Sequence, residues 1–481
     1  MRRALFGILL SLILAAGCVK IPTDEACCKM MPTPCLEYTT QTALEDNNFY
    51  EGDFPDGDWW EMFEDPQLSH LICTALSCNP TMQMVKARVE GAEAAAKIKK
   101  SHLFPTIGFS ADLDWQYLGK NDFFRAFTPV VPGNISEYEI DLDFTYEFDF
   151  WSKNRNTYRA ALGIAKAMEA ERQNAILVLS SSVAVVYFKL QANLQKLVVL
   201  KEERKILTKL FQLTQMRQNN ALDNTSQRLD AEEQLFIINK NILMAKQKIE
   251  LIKNMLNLLI GQGPDAYEEV EKLVSAPRFD FPLPTNISSN LLGRRPDLMA
   301  YIWRVESGAY LVGAAKAEFY PRVDLYGLAG LDSVFFSKLF RWESRTASLK
   351  PAIHLPIFTA GRLKANLREK QAEFDELIYA YNDAVLRAVK EVSDQVITLK
   401  ITSEKLQVEE RIVANKIQNR KIMALRYKNA VSNLLELLET QDAVLQQEFM
   451  KIKVQYKRVL AAIQLIKALG GGYCTEEMPF D

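Results

Sequence analysis

Between Glu137 and Phe150 apolar and polar residues alternate almost without interruption. Tyr138, Ile140, Leu142, Phe144, Tyr146, Phe148 and Phe150 take the even positions. Glu137, Glu139, Asp141, Asp143, Glu147 and Asp149 take the odd ones, with Thr145 the sole exception. A strand sends successive side chains to opposite faces. One face here is greasy enough for lipid, and the other is a column of carboxylates that must meet water. The length, aromatic content and purity of the alternation predict a transmembrane β-strand with a wet, acidic lumen.

Three further segments read as strands. Residues 107–118 pair with 136–150 in the first half of the chain, and 323–335 with 347–358 in the second. Four strands cannot close a barrel, since the smallest membrane barrels have about eight. Open edges are not tolerated in lipid. The barrel must therefore be shared among chains.

The remaining periodicity is helical. Residues 152–218 and 361–428 lack proline and contain only Gly163 and Gly361 as glycines. A helix of that span reaches on the order of 100 Å, suited to a rod or tunnel rather than a globular core. Two returning helices carry stripes spaced alternately by three and four. One is Leu235, Ile238, Ile242, Ala245, Ile249, Ile252, Leu256 and Leu259; the other is Leu445, Phe449, Ile452, Tyr456, Val459, Ile463 and Ile466. A seven-residue repeat calls for supercoiled packing. The breaks at 219–224 and 428–433 are rich in Asn, Asp and Ser, which favour turns and caps.

The chain contains this design twice. The segment ending Phe104-Pro105 returns as Tyr320-Pro321, and Asn79-Pro80 returns as Arg295-Pro296. Met216-Arg217 and Asn220-Ala221 return as Leu425-Arg426 and Asn429-Ala430. The shared order marks an internal duplication. The predicted fold is mainly α with a membrane β part. Long coiled-coil helices are joined to four strands per chain, which contribute to a membrane β-barrel shared among chains.

The first residues bear on compartment. Arg2 and Arg3 precede an apolar stretch to Ala16, too short to span a bilayer, which reads as a secretory signal. Leu14 to Cys18 resembles the bacterial lipobox, whose cysteine becomes the acylated first residue. Cys18 is the expected lipidation site, and this covalent lipid is the only prosthetic group expected. No later run of 18 apolar residues exists, which argues against helical spans. The net charge of −2 leaves no basic footprint for nucleic acid. Cys27, Cys28, Cys35, Cys73, Cys78 and Cys474 form an even set, which suggests disulfides in an exported chain. Cys27, Cys28 and Cys35, with Met30 and Met31, have soft donors suited to copper(I). A disulfide-bearing linker is the simpler reading, and no metal site is assigned.

Three ordered motifs carry a resemblance that covers nearly the whole mature chain. Trp59, Trp60, Phe63, Asp65, Pro66 and Leu68 open it. Leu291 to Leu298, containing Arg294-Arg295-Pro296-Asp297, forms its centre, and Arg426 to Gln441 its end. They resemble the outer-membrane efflux protein (TolC-like) family in its lipoprotein branch, associated with tripartite systems of the resistance-nodulation-division type. The resemblance implies a lipid-anchored homotrimer whose four strands per chain build a trimeric 12-stranded outer-membrane β-barrel, with a long α-helical coiled-coil barrel below it as a periplasmic tunnel. The implied partners are a periplasmic adaptor, an inner-membrane transporter and outer-membrane lipid. The chain departs from the family pattern at Tyr301-Ile302-Trp303. Ala430 and Ser432 also stand where the family often has Gly and Asp.

On this reading residues 1–17 are the signal and 18–65 a lipidated linker. Residues 66–261 are the first repeat, 262–286 an equatorial linker, 287–469 the second repeat and 470–481 a tail. The expected function is an exit duct passing small toxic molecules from periplasm to exterior. Arg426, Tyr427, Glu436 and Glu439 are the candidates for a gate at the periplasmic tips. The acidic strand face predicts cation preference. No phosphate loop, metal-spaced His or Gly-x-Ser-x-Gly motif occurs, so no catalytic residue is assigned. The competing readings are a type I protein-secretion duct and a structural coiled-coil envelope lipoprotein.

Overall fold

The computed structural model describes residues 29–34, 36, 49–121, 123, 125, 132–265, 281–284 and 292–473. The signal, Cys18, Cys27, Cys28, Cys35 and Cys474 lie outside the described residues. The strands are β1 (Phe49–Glu51), β2 (Thr106–Tyr117), β3 (Asn134–Phe148), β4 (Phe281–Leu283), β5 (Arg322–Ser333) and β6 (Arg345–His354). The helices are α1 (Pro66–Cys78), α2 (Pro80–Ser101), α3 (Lys153–Asn219), α4 (Thr225–Leu259), α5 (Pro296–Ala317), α6 (Arg362–Lys428) and α7 (Leu434–Ala468). Both α3 and α6 contain 67 residues, and both α4 and α7 contain 35.

Two compact units emerge from the contacts, and each draws on both sequence halves. Among the described residues one gathers Val89–Met168 and Tyr301–Ala380; the other gathers Met31–Arg88, Glu169–Ala300 and Tyr381–Asp481.

The first unit holds an antiparallel sheet in the order β2-β3-β5-β6. The sequence repeat is visible in how the chain enters it. Leu103 and Phe104 donate to the carbonyls of Lys100 and Ser101, ending α2. Phe319 and Tyr320 do the same to Lys316 and Ala317, ending α5. A proline follows each turn, where the chain leaves the helix for a strand. The last strand stops at His354 rather than continuing to residue 358. Leu355 and Pro356 lie past the ladder, whereas Pro351 is accommodated within β6 because β6 is an edge strand. Helices α3 and α5 approach closely at Gly163, and the Ser307 hydroxyl donates to the Ala160 carbonyl at 2.8 Å.

The second unit is built on buried aromatics and capped helices. Trp59, Trp60 and Phe63 form a buried 3-10 turn, with Phe63 against Phe188 of α3. The Asp65 carboxylate accepts from the amides of Gln67 and Leu68 at the start of α1, and from the Tyr187 hydroxyl at 2.6 Å. Leu200 and Leu207 of α3 pack with Ile238 and Ile242 of α4, as the three-four spacing predicts. On α7 the stripe is fully buried only at Val459, Ile463 and Ile466; Leu445 to Tyr456 stays half-buried. Cys73 and Cys78 on α1 are exposed free thiols, contrary to a disulfide assignment for them. Helix α3 does contain a window apolar enough to cross a membrane by length and composition, although no continuous apolar run marks it. More than half of that window is buried in the protein, as for a core helix.

Asn79 and Arg295, which correspond in the repeat, do one job with different chemistry. The Asn79 amide donates to the Leu259 carbonyl at the end of α4 (2.8 Å). The Arg295 guanidinium donates to the Ala468 carbonyl at the end of α7 (2.9 Å). Arg295 also pairs with Asp297 and Glu391, so its buried charge is neutralised. A Cβ at Gly470, where φ is +99°, would strike the Arg294 carbonyl.

Candidate functional site

The register of the sheet sorts its side chains into two faces. One carries Ile107, Phe109, Leu113 and Trp115 of β2, then Tyr138, Ile140, Leu142, Phe144, Tyr146 and Phe148 of β3. Val323, Leu325 and Leu331 of β5 with Leu349 and Ile353 of β6 complete it. Ile107, Phe109, Leu349 and Ile353 are each 65–71% exposed, so nothing among the described residues covers these side chains. An apolar surface of this size on a protein needs a partner or a membrane.

The opposite face is polar and falls into two electrostatic zones. Toward the β2–β3 and β5–β6 loops it holds Asp112, Asp114, Glu137, Glu139 and Asp332, with Glu139 opposite both Asp112 and Asp332. Carboxylate oxygens of Glu137, Glu139 and Asp332 lie within 4.8 Å of one another, the geometry best able to hold a cation among the described residues. Toward the helix end the charges balance. Glu147 pairs with Lys153 at 2.5 Å, and Asp324 takes Arg322 at 2.8 Å and His354 at 3.3 Å. Asp141 is nearly covered, lying over Gly330, where a Cβ would collide with its carboxylate.

The six predicted acids therefore do not form one uniform column. Glu137, Glu139, Asp141, Asp143 and Glu147 share the polar face, but Asp149 lies beyond the end of β3. Its carboxylate oxygens accept from the amides of Asn154 and Arg155 (3.0 and 2.8 Å), capping α3. The alternation runs past the strand because an acidic residue suits a helix N-terminus equally well. Asp112, Asp114 and Asp332 were the acids that alternation in β3 alone did not reveal. Leu113 and Trp115 flank the β2 pair in the same period-two pattern, a usable signal.

The two hairpin tips share one backbone. Ala221 and Ala430 have φ of +58° and +57°. Leu222 donates to the Arg217 carbonyl and Ala221 to that of Gln218. Val431 donates to Arg426 and Ala430 to Tyr427. Each pair closes a Schellman turn, here with alanine where glycine is usual. Asn224 and Asn433 then cap α4 and α7 through the amides of Gln227 and Glu436.

The side chains differ. In the first tip Arg217 makes two hydrogen bonds to Asp223, at 2.6 and 2.9 Å. These bonds hold the Asp223 carboxyl below its ordinary value of 3.8. The Gln227 amide, oriented with its nitrogen toward Asp223, donates as well. In the second tip Ser432 and Glu436 replace Asp223 and Gln227, so donor and acceptor are exchanged. The Ser432 hydroxyl donates to Glu436 at 2.6 Å, and the Asn433 amide at 3.1 Å. Glu436 is thus engaged within its own turn. Arg426, Tyr427 and Glu439 are exposed, and Arg426 pairs with no carboxylate among the described residues.

Higher up, Glu203 of α3 faces Asp442 and Gln446 of α7. Burial, with the Asp442 charge added, pushes the Glu203 carboxyl up to about 7. Gln446 donates to Asp442 at 2.7 Å, and the other Asp442 oxygen is buried without a hydrogen-bond partner among the described residues.

The model of the outer membrane efflux protein family matches residues 71–262 and 287–471. The chain belongs to that family. The multidrug resistance outer membrane protein MdtP of Escherichia coli O6:H1 is 30% identical over 479 residues, covering 98% of this chain and 97% of that protein. The Vibrio cholerae outer membrane protein VceC is 29% identical with a TM-score of 0.78, covering 87% of this chain and all of that one. The Campylobacter jejuni CmeC outer membrane channel shares the fold at a TM-score of 0.83, 22% identity and 95% coverage of each chain. As an outer membrane efflux protein the chain is a transport duct of the outer membrane, not an enzyme. Asp65 and Arg295, from the first two of the three family motifs, hold helix ends in this chain.

Proposed function

We propose that three copies of this outer membrane efflux protein close a 12-stranded barrel over a helical periplasmic tunnel, forming the exit duct of a tripartite pump for small toxic molecules. The observation that carries this reading is the four-stranded sheet with one exposed apolar face, one acidic face and edge strands β2 and β6. An open edge in lipid leaves backbone groups unsatisfied, and pairing β6 of one copy with β2 of the next removes every edge. The half-buried stripe on α7 supports the same assembly, because it leaves apolar surface for a neighbouring helix.

Substrate would pass along the acidic face without entering the bilayer. A periplasmic adaptor and an inner-membrane transporter of the resistance-nodulation-division type supply the cargo and the energy. Their docking opens the tips, where Arg426 and Glu439 contribute weak contacts between hairpins. Exposed pairs worth about 0–1 kcal/mol each suit a closure that docking must undo. Cys18 carries the lipid anchor, and Cys18→Ala should abolish acyl labelling. That MdtP is named for multidrug resistance supports drugs as one cargo class. A deletion strain should become sensitive to drugs, dyes or metals, and plasmid-borne wild type should restore resistance. Unchanged sensitivity to all three classes would refute the efflux role.

A further inference from the structure

The loop between β5 and β6 is an ordered turn that displays aromatic and cationic side chains together. Lys338 donates its amide to the Phe335 carbonyl, Arg341 to Lys338 and Ser344 to Arg341. The Ser344 hydroxyl donates to the Lys338 carbonyl at 2.8 Å. On this frame Phe336, Phe340 and Trp342 are 63–73% exposed. Phe336 packs against Tyr138, whose position in β3 belongs to the apolar face. Arg345, opposite Leu331, lies on that face as well, and its guanidinium stacks on Trp342. Lys338 sits over Phe335 at 4.8 Å.

An aromatic girdle alone is ordinary at a bilayer rim. The charges set this rim apart. The loop sequence has Lys338, Arg341 and Arg345 against one carboxylate, Glu343, while the acids Asp112, Asp114, Glu137, Glu139 and Asp332 lie on the opposite face of the sheet from Arg345, and none of the three cations forms an ion pair among the described residues. At the helix-side rim the cations Lys153 and Arg322 are already matched by Glu147 and Asp324. With the helices in the periplasm, as proposed above, the loop lies at the outer leaflet.

We propose that Lys338, Arg341 and Arg345 with Phe336 and Trp342 form a docking surface for a phosphorylated glycolipid of the outer leaflet. The surface is continuous with the lipid-facing side of the sheet, so acyl chains lie on the apolar face while phosphates reach the cations. Arginine and lysine near a membrane surface attract anionic headgroups, and the aromatic rings hold the amphipathic boundary.

The test is binding of fluorescent diphosphoryl lipid A to the purified full-length protein in neutral detergent, with dephosphorylated lipid A as the matched probe. Wild type should bind the phosphorylated form about tenfold tighter or more. The triple variant Lys338→Gln, Arg341→Gln, Arg345→Gln should lose most of that difference, and Lys338→Arg should keep it. Equal binding of the two lipid forms by wild type would overturn the proposal without any variant having to fold. So would an unaffected triple variant, or full displacement of the lipid by millimolar inorganic phosphate. Retained channel conductance beside equal lipid binding would place the failure in this surface and not in the duct.

Discussion

Arg217 grips Asp223 through two hydrogen bonds at the first hairpin tip, while at the second tip Ser432 stands where Asp223 would be and Arg426 has no carboxylate partner among the described residues. The duplicated backbone therefore carries one locked tip and one with a cation to spare. Restoring the missing acid, Ser432→Asp, should let Arg426 pair locally. Fewer spontaneous openings should follow in single-channel recordings. Arg426→Ala with Glu439→Ala should instead raise ion leakage. Unchanged conductance in the double variant would remove both residues from the gate.

The lock at the first tip should be sensitive to acid. Asp223 is held below its ordinary value of 3.8, so the folded tip favours its charged form. The stabilisation is present above 3.8 and is lost as pH falls through the lower folded value. Limited proteolysis at the tip should accelerate in that acid range. Asp223→Asn should cleave faster at neutral pH and show no such acceleration.

Glu203 has the opposite sign. Its carboxyl is raised to about 7, so the folded protein favours the neutral form. That contribution is complete below the ordinary value of 4.5 and is lost as pH rises through about 7. Glu203→Gln should stabilise the protein at pH 8 by on the order of 1 kcal/mol, allowing for screening of a half-exposed group. Thermal melts of wild type and variant should converge below pH 5. Parallel curves across the whole range would contradict the assignment.

Buried Arg295 joins the half-buried Asp297 and Glu391 and the Ala468 carbonyl. Arg295→Ala leaves two carboxylates and a helix end without their donor. It should cost about 1.5–3 kcal/mol in unfolding free energy, less than a fully buried pair because water reaches both carboxylates. Lysine should rescue only part of this, because it cannot donate bidentately to Asp297 while reaching Ala468. Chemical denaturation of the detergent-solubilised protein measures both.

The acidic zone of the sheet should set ion preference. Asp112→Asn, Glu139→Gln and Asp332→Asn together should move the reversal potential in a salt gradient toward zero selectivity. Glu147→Gln together with Lys153→Gln should change it little, because those two charges already cancel. Anion preference in the wild type would reverse the assignment of faces.

The elements with strict periods were the most legible in the chain. Alternation marked β3 within two residues at each end, and the polar breaks coincide with the ends of α3 and α6. What escaped was non-local. Strand register, which places Asp112 and Asp332 beside Glu139, depends on pairings that no single strand encodes. Asp149 misled because capping and lumen exposure favour the same carboxylate. Glu436 reads as a free gate charge, but the three-residue spacing from Asn433 makes it a capping partner. The difference between Arg217 and Arg426 was present in the repeat, and only the Asp223 geometry gave it meaning.

The shared barrel is tested most directly by cross-linking its two edges. In a background with the mature cysteines other than Cys18 replaced by serine, one cysteine is placed in β2 and a second is scanned along β6. Disulfides should form between chains at alternate β6 positions, with a ladder that ends at three copies. Links only within one chain, or a ladder running past three, would contradict it.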